Sequence, residues 1–375
     1  MLKGLKRGMQ RSGSDFGQLR ETMPHSGSRK NAMYGRTGSA FVLSVLVALM
    51  AISVTGCSAT APEAQLPTTQ AQAATAPATP TTGVVPQRGA PGGASTFTSV
   101  APTYKDLAYA TLSSAQKLDL YIPTSGSGPF PVVVMVHGGG FMMGDKSDGT
   151  GLAGVDQLLA AGYAVASINY RLSGEATYPA QINDAKAAVR LLRANASKYN
   201  LNPDKIGAWG ASAGGNLVAL LGTTCGVAEL EGADLGNADR SSCVQAVVDW
   251  FGPIDFLAMD EQFAGTSCPQ NHNDASSPES KLVGAAIQTV PDLVKTTNPM
   301  NYIDATDAPF FIQHGSADCN IPPVQGKNLA DALGAAIGAE NATYTLIDGA
   351  GHGGAQFETE SNLQLVMDFL DKHLK

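Results

Sequence analysis

The stretch Ile206-Gly207-Ala208-Trp209-Gly210-Ala211-Ser212-Ala213-Gly214 joins an apolar strand pattern to a helical one through a turn of small residues. After the turn, residues 213–222 carry apolar side chains at three- and four-residue spacing. At a sharp strand-to-helix turn the central residue has a strained backbone, so the positions two residues away must lack side chains, as Gly210 and Gly214 do. We predict that Ser212 projects its hydroxyl from the carboxyl edge of a sheet as a candidate nucleophile. The alternative is a small-residue turn that only packs a helix against a strand.

Strand and helix patterns alternate on both sides of this stretch. Apolar runs predict strands at Pro131–Val136, Tyr163–Asn169, Ile206–Trp209, Ala246–Asp249, Pro309–His314 and Thr343–Ile347. Apolar residues at helical spacing predict helices at Pro179–Ser197, Ala213–Gly222, Val324–Gly338 and Asn362–Leu374. This alternation predicts an α/β fold, with a mostly parallel central sheet flanked by helices on both faces, in a single domain over residues 97–375.

Composition and charge narrow the class of protein. Hydrophobic residues make up 43% of the 375 residues and charged residues 15%, a balance that supports a large core. The net charge is −8, and eight of the 24 Lys and Arg residues lie within residues 1–56, so the remainder is more acidic still. An acidic surface repels phosphate backbones, which excludes nucleic acid as an expected partner.

The N-terminal region resembles a bacterial lipoprotein signal. A basic, polar segment precedes an apolar run of 15 residues, Ala40–Val54, which is short for a membrane span. Val54-Thr55-Gly56-Cys57 follows and resembles a lipobox, in which cleavage precedes a cysteine that carries lipid. Residues 1–56 are therefore expected to be a signal peptide, with Met33 as an alternative start, and Cys57 the lipidation site. A plain N-terminal anchor is the alternative.

Residues 57–96 consist mainly of Ala, Thr, Pro, Gln and Gly after the cysteine, with few bulky apolar side chains. Such a composition cannot bury a core, so we expect a disordered tether, or a tail without function. The catalytic domain is then exported and contacts a membrane only through its lipid anchor.

Four cysteines remain beyond Cys57, which is consistent with disulfides outside the cytosol. They allow three pairings. We favour Cys225 with Cys243, which closes a polar loop, and Cys268 with Cys319, which fixes the segment after Asp318. Zinc binding is the alternative, but the cysteines lack C-x-x-C spacing, so no metal site is expected.

A second glycine-rich motif, His137-Gly138-Gly139-Gly140-Phe141, follows the first predicted strand. Glycines allow backbone N–H groups to approach the oxygen that becomes negatively charged during acyl transfer. Gly139, Gly140 and the amide of Ala213 are the candidate oxyanion donors. A phosphate loop is disfavoured because the motif has neither the Walker lysine nor G-x-G-x-x-G. His137 is expected to brace the loop.

A base and an acid are expected late in the chain, in the order serine, acid, histidine. His352 is the candidate base, because it lies in a Gly-rich loop between the last predicted strand and the last predicted helix. His314 and His373 lie in a predicted strand and a predicted helix and are interpreted as structural, and His272 lies in a polar insertion. Asp318, after the strand 309–314, is the candidate acid that orients the imidazole. Three other carboxylates are rivals for this role, with a cap or turn residue as the alternative for each: Asp255, Asp304 and Asp307.

Taken together, these motifs resemble the α/β-hydrolase superfamily of serine esterases. The resemblance extends from about Tyr104 to the C-terminus and is strongest to bacterial feruloyl and acetyl-xylan esterases, and weaker to hormone-sensitive-lipase-like carboxylesterases. Further matching motifs are Asn169-Tyr170-Arg171-Leu172, Tyr178-Pro179-Ala180-Gln181, Asp184 and Asn202-Pro203-Asp204-Lys205-Ile206. The resemblance implies the α/β-hydrolase fold and a Ser-His-Asp esterase that forms an acyl-enzyme and uses no cofactor.

Two departures qualify this resemblance. Ala211 stands where lipase-like relatives have Asp, and too few residues precede His137 for their N-terminal cap. Both favour the carbohydrate-esterase branch and an open cleft for acetyl, feruloyl or small soluble esters. The insertion Phe256–Asn298 is expected to be a surface loop, with a lid as the alternative. Two other functions stay open, a serine peptidase or amidase of the same fold and a lipid-anchored binding protein without turnover.

Overall fold

The strand Phe130–Val136 lies in the interior of the sheet. Residues 132, 134 and 136 face one side of the sheet and residues 133 and 135 face the other, and all five are buried. A parallel strand covered on both faces has this continuous apolar pattern. The structure, a computed structural model, describes residues 100–148 and 153–375. These residues belong to one compact unit.

Eight strands and nine α-helices are present in the described residues. The strands are β1 Tyr104–Ala108, β2 Lys117–Tyr121, β3 Phe130–Val136, β4 Ala164–Ile168, β5 Leu201–Ala211, β6 Ala246–Trp250, β7 Phe310–Gly315 and β8 Ala342–Ile347. The helices are α1 Val155–Ala160, α2 Ala180–Ala194, α3 Ala196–Tyr199, α4 Ala213–Thr223, α5 Met259–Gln262, α6 Pro278–Val283, α7 Pro291–Lys295, α8 Val324–Ile337 and α9 Glu360–Leu374.

The strands form one sheet in the order β1-β2-β4-β3-β5-β6-β7-β8. The pairs from β4 to β8 are parallel, whereas β1 with β2 and β2 with β4 are antiparallel. The carboxyl ends of β3, β5, β6, β7 and β8 therefore meet at one edge of the sheet. Loops that follow these strands can place their side chains in a common site.

Helices cover both faces of the sheet. Apolar residues of α2, α4 and α8 pack in one core cluster with Val132 and Val134. Residues of α1 and α9 pack in a second cluster with Val133 and Trp209 on the opposite face. The chain therefore has the predicted α/β-hydrolase fold, with a mostly parallel sheet between two helical layers.

Some elements differ from the sequence-based predictions. The predicted helix 179–197 is divided into α2 and α3 at Asn195, and β5 is longer than the predicted strand. The prediction omitted β1, β2 and α1. The insertion Phe256–Asn298, expected to be a surface loop, contains three short α-helices and two 3-10 helices, so that expectation was wrong.

Candidate functional site

Ser212 occupies the turn between β5 and α4 in a strained conformation, with φ 55° and ψ −123°. A Cβ atom on Gly210 would lie 2.2 Å from the carbonyl oxygen of Gly214, and one on Gly214 would lie 2.1 Å from that of Val136. Neither position therefore accepts a side chain. The Ser212 amide donates a 2.9 Å hydrogen bond to the carbonyl of Trp250, which ties the turn to β6.

His352 lies between Ser212 and Asp318. Its Nε2 is 2.8 Å from Ser212 Oγ, and its Nδ1 is 2.8 Å from Asp318 Oδ2. Since a carboxylate only accepts hydrogen bonds, Nδ1 carries a hydrogen and Nε2 accepts the serine hydroxyl. The Phe251 ring contacts the imidazole edge to face, with ring centroids 4.7 Å apart. The structure therefore brings the three predicted residues together in hydrogen-bonding sequence.

The carboxylate of Asp318 is buried and fully hydrogen-bonded. Oδ1 accepts from the amides of Asn320 and Ile321, at 2.8 and 3.0 Å, and Oδ2 faces His352 and His314. Burial alone would raise the pKa of Asp318, but hydrogen bonds from the two histidines and the loop amides hold that pKa well below its usual range. Asp318 therefore stays ionised against the imidazole.

The rival carboxylates occupy local turns. Asp255 accepts from the amide of Leu257 as the cap of a short 3-10 helix, Phe256–Ala258. Asp304 accepts from the amide of Thr306, and Asp307 accepts from the amide of Asp304. Each carboxylate binds the backbone of its own segment, as cap and turn residues do, so the structure favours Asp318 over these rivals.

The glycines of the loop after β3 line the same cavity as Ser212. Gly139 and Gly140 have φ values of 105° and 61°, and a Cβ atom on Gly139 would lie 2.1 Å from the carbonyl oxygen of Met143. Ala213 is the first residue of α4, where amides lack helical partners. Among the described residues, the amides of all three donate no hydrogen bond. They are available to a negatively charged oxygen beside the serine.

His137 braces this loop, as expected. Its ring stacks on Tyr170 with centroids 4.5 Å apart, and its Nδ1 donates to the carbonyl of Gly138 at 2.8 Å. The Tyr170 hydroxyl donates to the carbonyl of His137 at 3.1 Å. Burial lowers the pKa of His137, so its ring is held neutral.

Two cavities open on Ser212. The aromatic cavity, about 310 Å³, is lined on the His352 side by Trp250, Phe251 and Phe357 and by the loop glycines. The polar cavity, about 230 Å³, is lined by residues of the loops around Ser212, which include Gly140, Pro253 and Ile321, and by residues of the insertion. The side chains that the insertion contributes are Asn271, His272, Asp274, Ser276, Ser277, Pro278 and Glu279. The serine lies where the two cavities meet.

Both disulfides have the predicted pairing, Cys225 with Cys243 and Cys268 with Cys319. The second joins the insertion to the residue that follows Asp318. In the described part of the chain no group of three or more metal-ligating side chains is present, and no helix there is long and apolar enough to cross a membrane. The predicted signal peptide 1–56, Cys57 and the tether 57–96 lie outside the described residues.

Sequence reasoning missed two features of the site. His314, interpreted as structural, contacts the carboxylate of Asp318 through Nε2 at 3.2 Å. His272, placed only in a polar insertion, lines the polar cavity with Glu279. The position of His314 four residues before the acid, at the end of a strand, was a usable signal, whereas the insertion has no periodicity that would predict its contribution.

A family model of known proteins matches the part of the chain that contains two of the three site residues. The family model BD-FAE matches residues 118–333, more than half of the chain, including Ser212 and Asp318. The chain belongs to the BD-FAE family. His352 lies beyond the matched region, so its assignment depends on the geometry described above.

Solved structures and curated proteins resemble this BD-FAE member over about two thirds of the chain or more. A truncated carbohydrate esterase from gut microbiota is 36% identical with a TM-score of 0.66, over 72% of this chain and 95% of that protein. Esterase LipC of Mycobacterium tuberculosis is 31% identical over 64% of this chain and 57% of its own length. A thermophilic esterase from Thermogutta terrifontis, 23% identical over 72% of this chain and 92% of that protein with a TM-score of 0.57, shares the fold. This chain spans about half the length of the curated relatives it matches.

Proposed function

We propose that this BD-FAE member is a serine hydrolase of carboxylic esters, with Ser212 as nucleophile, His352 as base and Asp318 as the acid that orients it. The observation that carries the proposal is the continuous set of 2.8 Å contacts from Ser212 through His352 to Asp318, next to three unpaired backbone amides. The names of its relatives, which include esterases and a carbohydrate esterase, support the same reaction.

The proposed reaction has two steps. His352 Nε2 takes the proton of Ser212, and Oγ forms a bond to the ester carbonyl carbon while the amides of Gly139, Gly140 and Ala213 donate to its oxygen. The C–O bond to the alcohol then breaks, and His352 returns the proton to the departing oxygen. Water, deprotonated by His352, adds to the acyl-enzyme and releases the acid and free Ser212.

The proposed substrates are acetyl or feruloyl esters of polysaccharides, or short-chain soluble esters. The carbohydrate esterase similar to this chain supports the first class. The aromatic cavity of about 310 Å³ is at the lower end of the range for small-molecule sites, which favours a single short acyl or aryl group.

Turnover and covalent labelling test this proposal. Wild type is expected to hydrolyse p-nitrophenyl acetate and to be labelled by a fluorophosphonate, whereas Ser212→Ala loses the label and about 10⁶-fold in kcat. The surface variant Asp292→Asn is the control and should match wild type. Hydrolysis of amino-acid nitroanilides in preference to nitrophenyl esters would favour the peptidase alternative, and an unlabelled wild type would favour the binding protein.

We also propose export with a lipid on Cys57, a signal over residues 1–56 and a tether over 57–96. The two disulfides support an oxidising compartment. In a bacterial host, an alkynyl fatty acid should label the full chain but not Cys57→Ala. Equal labelling of both forms would contradict this proposal.

A further inference from the structure

The polar cavity has a wall that is fixed in place before any ligand binds. Asp260 accepts from the amides of His272 and Asn273, both at 2.9 Å, and the Cys268–Cys319 disulfide ties the same segment to the acid loop. A preorganised wall of this kind lowers the entropy lost on binding.

The floor of the cavity contains a buried carboxylate. Glu279 is 3% exposed, and its Oε1 lies 3.3 Å from His272 Nδ1. Burial disfavours a charged imidazole, but the nearby carboxylate more than offsets this and raises the pKa of His272. Among the described residues, Glu279 Oε2 has no hydrogen-bond partner. A buried acceptor without a partner is unfavourable unless something else donates to it.

The rim of the cavity supplies further unpaired polar groups. In the part of the chain that the structure describes, the side chains of Asn271, Asp274, Ser276 and Asn320 make no hydrogen bond to the protein. Amide and hydroxyl groups donate and accept, whereas carboxylates only accept. The lining contains no Lys or Arg, so it does not match an anion.

From this lining we infer that the polar cavity binds a polyhydroxylated group, the sugar side of an ester whose carbonyl is attacked by Ser212. Each sugar hydroxyl donates and accepts at once, which matches the mixture of carboxylates, amides and a hydroxyl around the cavity. A volume of about 230 Å³ is below that of drug-sized sites, so one ring-sized group fills it. This inference rests on the proposed esterase function and adds the residues that select its substrate.

The test compares two acetate esters that share the acyl group. The measured quantity is kcat/KM for an acetylated methyl xyloside divided by kcat/KM for p-nitrophenyl acetate. Asp274→Asn replaces a charge-assisted hydrogen bond by a weaker neutral one and Asn271→Ala removes a hydrogen bond, so each should lower this ratio about tenfold. The matched control is Asp292→Asn, in the same insertion and pointing into solvent, which should leave the ratio unchanged. Glu279→Gln is not used in this test, because Glu279 is buried and its replacement would also change the stability of the fold.

Binding separates this inference from the esterase proposal. Unacylated xylobiose should bind the Ser212→Ala protein in calorimetry, and the added change Asp274→Asn should weaken binding about tenfold. Binding without any ester turnover in wild type would leave the subsite in place and reject the proposed function. Turnover of both esters with an unchanged ratio in the cavity variants, or with no xylobiose binding, would overturn the inference.

Discussion

The imidazole of His314 lies against the carboxylate of Asp318, with Nε2 3.2 Å from Oδ2, the same oxygen that faces His352. His314 Nε2 is also 3.0 Å from the carbonyl oxygen of Ile321. Both neighbours are acceptors, so Nε2 carries a hydrogen. His314 is fully buried and is the second imidazole in contact with this carboxylate oxygen.

His314→Leu should lower kcat/KM about tenfold and move the acidic limb of its pH profile to higher pH. Without the second donor, Asp318 presents more negative charge to His352 and stabilises the inactive imidazolium. His314→Gln keeps an N–H donor, so its kcat/KM and its pH profile should lie between those of wild type and His314→Leu. His373→Gln, in α9, is the control and should match wild type. A lower rate with an unmoved pH profile would indicate that His314 only supports the fold.

Gly139→Ala should reduce kcat at least about 100-fold, the effect of losing one oxyanion donor. The added Cβ would meet the Met143 carbonyl oxygen at 2.1 Å, so the loop must move. Gly162→Ala is the matched control, because Gly162 also has a positive φ of 85° but has nothing within 4 Å of an added Cβ. The control should lose about 1 to 2 kcal/mol of stability and keep its kcat. Equal kcat values for both variants would refute the role of this loop.

Replacing both cysteines of either disulfide by serine should destabilise the fold, with different effects on turnover. The Cys268–Cys319 bond spans 51 residues and the Cys225–Cys243 bond 18, for which chain entropy gives about 4 and about 3 kcal/mol. Only loss of the Cys268–Cys319 bond should also lower kcat, because Cys319 directly follows Asp318 and its disulfide holds the loop that carries this acid. Urea titrations and initial rates measure the two effects. An unchanged kcat without Cys268–Cys319 would argue against this link.

Asp249→Asn should stabilise the protein relative to wild type at pH 7.5 and have little effect at pH 4. Burial raises the pKa of Asp249 from 3.8 to about 6, although the Gly252 amide donates to its Oδ1. A raised carboxyl pKa gives stability that is present at low pH and lost as pH rises from about 4 through 6. The difference is on the order of 3 kcal/mol at most. Denaturant midpoints of wild type and Asp249→Asn at the two pH values measure this difference in stability. The same difference between the two proteins at pH 4 and at pH 7.5 would contradict the prediction.

The sheet and the central residues of the site were predictable because parallel strands bring their carboxyl ends to one edge. Ser212 and His352 are 140 residues apart, and His352 and Asp318 are 34 apart, yet each follows a strand of that edge. The glycines around Ser212 specify the turn through steric contact alone. The spacing of Gly210 and Gly214 around Ser212 therefore predicts this turn from the sequence alone.

The remaining features depend on tertiary contacts. β2 alternates apolar residues with Asp119, but that carboxylate is buried because Lys146 lies 3.0 Å away on a distant loop. The helices of the insertion have four to six residues, too short to form alone, and α6 begins at a Ser277 cap. Their position comes from packing and from the Cys268–Cys319 bond, which local periodicity does not encode.

The Cys268–Cys319 bond also closes a covalent ring that contains much of the insertion and all of β7. Lys281 and Lys295 are exposed within that ring. A trypsin-like protease that cuts after either lysine leaves both fragments joined through sulfur. Nicked protein therefore migrates as one chain on a gel until a thiol reductant is added.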